Sequence, residues 1–147
     1  MQDIKNPTPG EWTITIRPIT RFRRNAPETR RMPPGPNSRI HPLTKSWWIR
    51  NFKNAAWQSA LEAGIPRMQR ARVEILNLAV QPPDRDNLYG CTKAIVDGLA
   101  LRILPEKMTK SGPVPMDDED HLDLHARSEK VKHYHQQRII IRVTRLA

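Results

Sequence analysis

Apolar positions along the chain change their period from segment to segment. Trp12, Ile14 and Ile16 alternate with Thr13, Thr15 and Arg17, the period of a half-buried strand, and Pro18 closes it. Farther on, Trp48, Phe52, Ala56 and Ala60 recur every fourth residue, one face of a helix. Thr44 can cap its start, and Gly64 followed by Pro66 ends it. The stretch ARVEILNLAV (71–80) alternates at first and then becomes continuously apolar, as a strand does on entering the middle of a sheet. Pro82 and Pro83 stop it. A second helix is expected from Leu88 to Leu104, with Leu88, Cys91, Ile95 and Leu99 on one stripe. After a flexible connection at 105–115, residues 121–131 and 137–146 read as two closing strands that form a hairpin.

This order predicts an α/β (α+β) fold, a small mixed β-sheet of about four strands with two main helices. A length of 147 residues suits one domain around one core, residues 1–147. No run reaches the roughly eighteen apolar residues of a membrane span, and the opening MQDIKNPTPG lacks the apolar centre of a secretory signal. Cys91 is the only cysteine, so no internal disulfide forms, and a reducing cytoplasm is the compartment that fits. As a single thiol it reads as a small buried helix residue.

One segment escapes the periodic pattern. Residues 19–42, ITRFRRNAPETRRMPPGPNSRIHP, form an Arg/Pro-rich loop holding Arg21, Arg23, Arg24, Arg30, Arg31 and Arg39 against one acid, Glu28. Its prolines forbid regular pairing. The expectation is an extended segment outside the core, mobile until its arginines meet DNA phosphates.

The formal net charge of +10 points to a polyanionic partner, nucleic acid first. The distribution is more informative than the total. Nine of the fifteen acids lie between Asp84 and Asp123. A plain DNA-binding module has no reason to gather acids against a polyanion. A metal-dependent nuclease has one, because bound cations reverse the sign of a carboxylate cluster.

Asp84 and Asp86 are one residue apart in a segment that prolines hold extended. Their side chains therefore project to one side, at the end of a central strand, where they can share a divalent cation. Asp86 or Asn87 can instead cap the second helix, which leaves Asp84 without a reason. The run DDED at 117–120 reads alone as a solvated loop. Paired with the first cluster, it can supply the third carboxylate of a hard-metal site. Lys93, about two turns beyond Asp86, can reach a scissile phosphate or remain a surface lysine. His121, His125, His133 and His135 match no closed zinc module. Trp47, Trp48 and Trp57 suit core packing, with a base-stacking role open to one of them.

DRDNLYGCTKAIVDGL followed by MDDEDHL resembles the signature of the RusA-like Holliday junction resolvases of bacteria and bacteriophages. That signature is D-x-D-N, a lysine on the next helix, D-x-L, and an acidic pair after a short connection. The likeness runs from Arg70 to Leu146 and more weakly from Trp12. It implies a homodimeric, Mg2+-dependent endodeoxyribonuclease, with Mn2+ as an alternative ion, that hydrolyses Holliday junctions or related branched DNA. Asp84 and Asp86 would be the first two metal ligands and Asp118 the third, with Asp117 beside it. Lys93 would be the essential lysine, at a longer spacing from Asn87 than in the best-known members. Asp97 matches the D-x-L position. The Arg/Pro-rich loop matches no motif. The alternative reading is a non-catalytic basic DNA-binding protein.

Overall fold

The alternating segment near the start forms strand β1 (Glu11–Ile16), with Ile14 and Ile16 buried and Thr13 and Thr15 exposed. The computed structural model describes residues 10–146. After β1 come β2 (Ile19–Arg21), β3 (Thr29–Arg31), α1 (Pro42–Glu62), β4 (Ala71–Ala79) and α2 (Arg85–Ile103). The chain continues through β5 (Glu106–Thr109), β6 (Gly112–Pro115), β7 (Leu122–Lys130), a 3-10 turn at Tyr134–Gln136 and β8 (Arg138–Arg145). The fold is α+β: two helices, a four-stranded mixed sheet in the order β1-β8-β4-β7, and two small hairpins.

Strand β4 is interior, as its apolar run predicts. It pairs antiparallel with β8 on one side and parallel with β7 on the other. The expected hairpin of the two closing strands is therefore corrected. Strand β7 has no buried residue and suits an edge, whereas β8 buries Ile139, Ile141 and Val143 and takes an interior place between β1 and β4. Residues 131–137 carry the chain across the end of β4. The connection at 105–115, expected to be flexible, folds as the β5-β6 hairpin, where the Thr109 hydroxyl donates to the Gly112 carbonyl at 2.7 Å.

Helix α1 starts earlier than Thr44 suggests. Pro42 takes its first turn, and His41 Nδ1 accepts from the Leu43 amide at 3.2 Å. It ends at Gly64 as expected, with Ile65 N–H donating to Ala60 O and Gly64 N–H to Leu61 O. Trp48, Phe52 and Ala56 of α1 and Ile95, Leu99 and Ile103 of α2 pack against Ile14, Val73, Ile75, Ile141 and Val143 of the sheet. Each large aliphatic side chain so buried contributes about 1.5–3 kcal/mol before entropy is counted. Gly98 sets the closeness of the helices, because a Cβ there would run into the Lys53 carbonyl of α1. No described helix is long and apolar enough to cross a membrane.

The Arg/Pro-rich segment departs most from expectation. Its prolines predict a loop outside the core, yet β2 and β3 pair within it and Ile19, Met32 and Ile40 pack against the core. Pro33 and Pro34 are buried. A proline ring cannot donate to a ladder, but it is apolar and loses little entropy when packed. The Arg21 guanidinium lies 5.0 Å from the Trp47 ring centroid, and that of Arg31 lies 5.8 Å from Trp48. Pro36 sits directly on Gly90 of α2, where a Cβ would come within 2.6 Å of its ring. The segment is a strap laid across the two helices.

Candidate functional site

Helix α2 begins at Arg85 and not at Leu88, because Asp84 is its N-cap. Asp84 Oδ1 accepts from the Asn87 amide and from Asn87 Nδ2, both at 2.9 Å. Asn87 Oδ1 accepts in turn from Asn37 Nδ2 at 3.0 Å, which ties the strap to the start of α2. The capping role open to Asp86 or Asn87 in the sequence thus belongs to Asp84. Asp84 Oδ1 is engaged, and Oδ2 has no hydrogen-bond partner among the described residues. Asp86 is exposed in the first turn, without a hydrogen-bond partner among the described residues. Both acids lie at the N-terminal end of α2.

The second cluster is organised differently. Asp118 Oδ1 accepts from the Asp120 amide at 3.0 Å and meets His121 Nδ1 at 2.7 Å. The Asp118 carbonyl accepts from the amides of His121 and Leu122 at 3.0 and 2.8 Å. The hydrogen bond from His121 is the main reason the Asp118 carboxyl lies below the usual carboxylate range. Asp117 is exposed and lines a cleft with Asp97, Lys53 and Lys107. Lys93 Nζ donates to Asp97 at 3.3 Å, on the same stripe of α2 as Asp86.

The two clusters do not meet within one chain. Ala71 of β4 pairs with Leu122 of β7, so Asp118 lies near the beginning of β4, while Asp84 follows its end. A nine-residue strand at about 3.3 Å per residue separates those ends by roughly 26 Å. Along α2, Asp86 and Asp97 are about 16 Å apart at a rise of about 1.5 Å per residue. Hard cations hold oxygens at about 2.0–2.6 Å. Among the described residues no three His, Cys, Asp or Glu side chains gather closely enough to hold a metal ion. The extended path expected for residues 84–86 is not found: Arg85 and Asp86 are already helical. Asp84 and Asp86 therefore stand as two exposed carboxylates at the start of α2 and not as neighbours on one side of an extended segment.

Of the arginines expected to grip DNA, Arg23, Arg24, Arg30 and Arg39 are exposed, whereas Arg21 and Arg31 are half-buried against tryptophans. Trp48 belongs to the core, Trp47 packs beside it, and Trp57 is 40% exposed. The histidines divide: His121 serves Asp118, His125 Nε2 lies 2.8 Å from Asp123, and the rings of His133 and His135 stack on each other.

One residue near the acids gives almost no signal in the sequence. Asn77 on β4 is 4% exposed, its Oδ1 lacks a hydrogen-bond partner, and it lines a cleft beside Pro83. Its only mark is a lone amide inside the apolar run ILNLAV. Cys91, half-buried in the same cleft, has its thiol pushed up by burial, with the Arg31 charge opposing. No protein-family model matches the chain, and no curated protein matches it.

Proposed function

We propose that the chain is a metal-dependent endodeoxyribonuclease that cuts Holliday junctions or related branched DNA and works as a homodimer. The observation that carries the reading is the exposed pair Asp84 and Asp86, at the C-terminal end of an interior strand, on a chain of net charge +10. Such strand ends are where open sheets bind ligands. Mg2+, or Mn2+, prefers a few carboxylates together with waters and substrate phosphates, so the open oxygen of Asp84 and the carboxylate of Asp86 fit it in part. When bound, the ion supplies a water of lowered pKa and positive charge beside the phosphate.

A third carboxylate requires a second copy. In a two-fold dimer the Asp117–Asp118 end of one subunit can meet the Asp84–Asp86 end of its partner, and symmetry then creates two equivalent sites. Two sites suit a four-way junction, which needs symmetric cuts in two strands. Lys93 releases Asp97 and neutralises charge on the phosphate, and the exposed strap arginines hold phosphates without reading sequence. The single thiol, Cys91, suits a reducing cytoplasm.

The non-catalytic alternative draws on the separation of the clusters and on the Lys93–Asp97 pairing. Incubation with an end-labelled four-way junction and a matched duplex, with Mg2+ or with chelator, separates the two. Paired nicks on the junction that require Mg2+ support the nuclease. Tight binding without cuts under every condition supports the binding module.

A further inference from the structure

Beside the acidic pair lies a cleft of about 340 Å³ that neither carboxylate uses, between the end of β4, the strap and the Tyr134–Gln136 turn. Its size is at the lower end of small-ligand sites, about 300–1,000 Å³. Asn77 stands on the helix-facing side of β4, in line with the core residues Val73 and Ile75, and it is the exception among them. No described residue bonds its buried Oδ1, and a fold rarely leaves such a group unpaired without another use for it. An amide carries an acceptor and a donor that exchange on a half-turn of the group, so it can answer either kind of ligand edge.

The other walls have complementary chemistry. Gln137 Oε1 accepts from the Val80 amide at 3.0 Å, and no described residue bonds its amide nitrogen. Arg31 bonds the Met32 carbonyl through Nε at 3.2 Å, which leaves its terminal nitrogens without an acceptor among the described residues. Tyr134, 72% exposed, adds an aromatic face. Neutral amides, unspent guanidinium donors and a ring together suit an uncharged planar group with donors and acceptors on its edge. We propose that this cleft receives one unpaired nucleobase, unstacked beside the Asp84–Asp86 start of α2. The inference rests on the nucleic-acid reading above and adds to it a base-reading subsite.

Cys91 allows the site to be tested without any cleavage, because the chain's only cysteine lines the cleft. Its alkylation by iodoacetamide would be timed in metal-free buffer, alone and with two saturating ligands of equal length. One is a single-stranded oligodeoxynucleotide and the other its abasic counterpart, with binding of both followed by fluorescence anisotropy. The base-bearing strand should slow alkylation about tenfold and the abasic strand should leave it unchanged. Asn77→Leu should abolish the protection while the strand still binds, and the wild-type comparison decides even if that variant does not fold. Equal protection by both strands would mean a backbone contact and overturn the proposal. So would no protection by a bound base-bearing strand. If neither strand binds, the base site fails, while the four-way-junction assay still decides the nuclease reading.

Discussion

The two ends of β4 carry the same residue type put to different local uses. At the C-terminal end Asp84 caps α2 with one oxygen, and neither its other oxygen nor the Asp86 carboxylate has a partner among the described residues. At the N-terminal end Asp118 spends Oδ1 on Asp120 and His121 to shape the loop before β7, while Asp117 stays exposed. Each end therefore has a carboxylate that holds the backbone and an exposed one without a hydrogen-bond partner among the described residues. Either end alone has a structural explanation. The exposed acids are what that explanation leaves over, and they lie at opposite ends of β4.

The largest expected effect separates charge from capping. Asp84→Asn keeps a side chain that caps as well as aspartate, and Asp86→Asn touches no described hydrogen bond. Both should lower junction cleavage on the order of a thousandfold, the upper scale for losing one electrostatic group in an active site. Thermal unfolding of both variants should match wild type, and junction binding should persist. Near-wild-type cleavage in both would leave the C-terminal end with capping as its only role.

Packing of the strap onto that end comes next. Gly90→Ala brings a methyl group against Pro36 and should cost about 1–3 kcal/mol in urea unfolding, the usual scale of overpacking. An unchanged midpoint would mean that the strap does not rest on α2 as described.

The strap arginines should divide by their surroundings. Replacing the exposed Arg23, Arg24 and Arg30 with serine should reduce the slope of log affinity against log salt by about 0.9 for each phosphate no longer neutralised, with stability unchanged. Arg21→Ser should instead lower stability by about 0.5–1 kcal/mol, because its guanidinium no longer covers the Trp47 ring. The reverse assignment in salt titrations and melting curves would undo the division.

The smallest effect concerns the opposite end of β4. The Asp118 pKa is depressed in the fold, chiefly by the His121 hydrogen bond, so its stabilising contribution is present above the unfolded carboxylate value of about 3.9. It disappears as pH falls through the lower, folded value. Melting temperatures of wild type should therefore drop more steeply below about pH 4 than those of Asp118→Asn. Parallel curves would show that the His121 hydrogen bond does not form in solution.

Much of this comparison is legible in the sequence. The periods at Trp12–Ile16, Trp48–Ala60 and Ala71–Ala79 each mark an element, because burial on one face imposes a repeat. The β2-β3 and β5-β6 hairpins are not legible, since strands of three or four residues with none fully buried show no alternating set. Period also says nothing about neighbours. It marks β7 and β8 but cannot tell that β4 lies beside both, and that single fact of order separates Asp118 from Asp84. The strap reads as a free loop because its charge outweighs the apolar residues Ile19, Met32 and Ile40 that dock it. Asn77 stays hidden because one amide barely disturbs an apolar run.

In the proposed dimer, two copies together complete the carboxylate set. Subunit mixing tests it directly, with Asp86→Asn and Asp118→Asn as separately purified, inactive proteins. If each site takes Asp86 from one subunit and Asp118 from the other, a mixed dimer has one site with both residues intact and one with both replaced. Co-refolding the two should then restore Mg2+-dependent nicking of a four-way junction. Mixtures no more active than either parent would contradict the account.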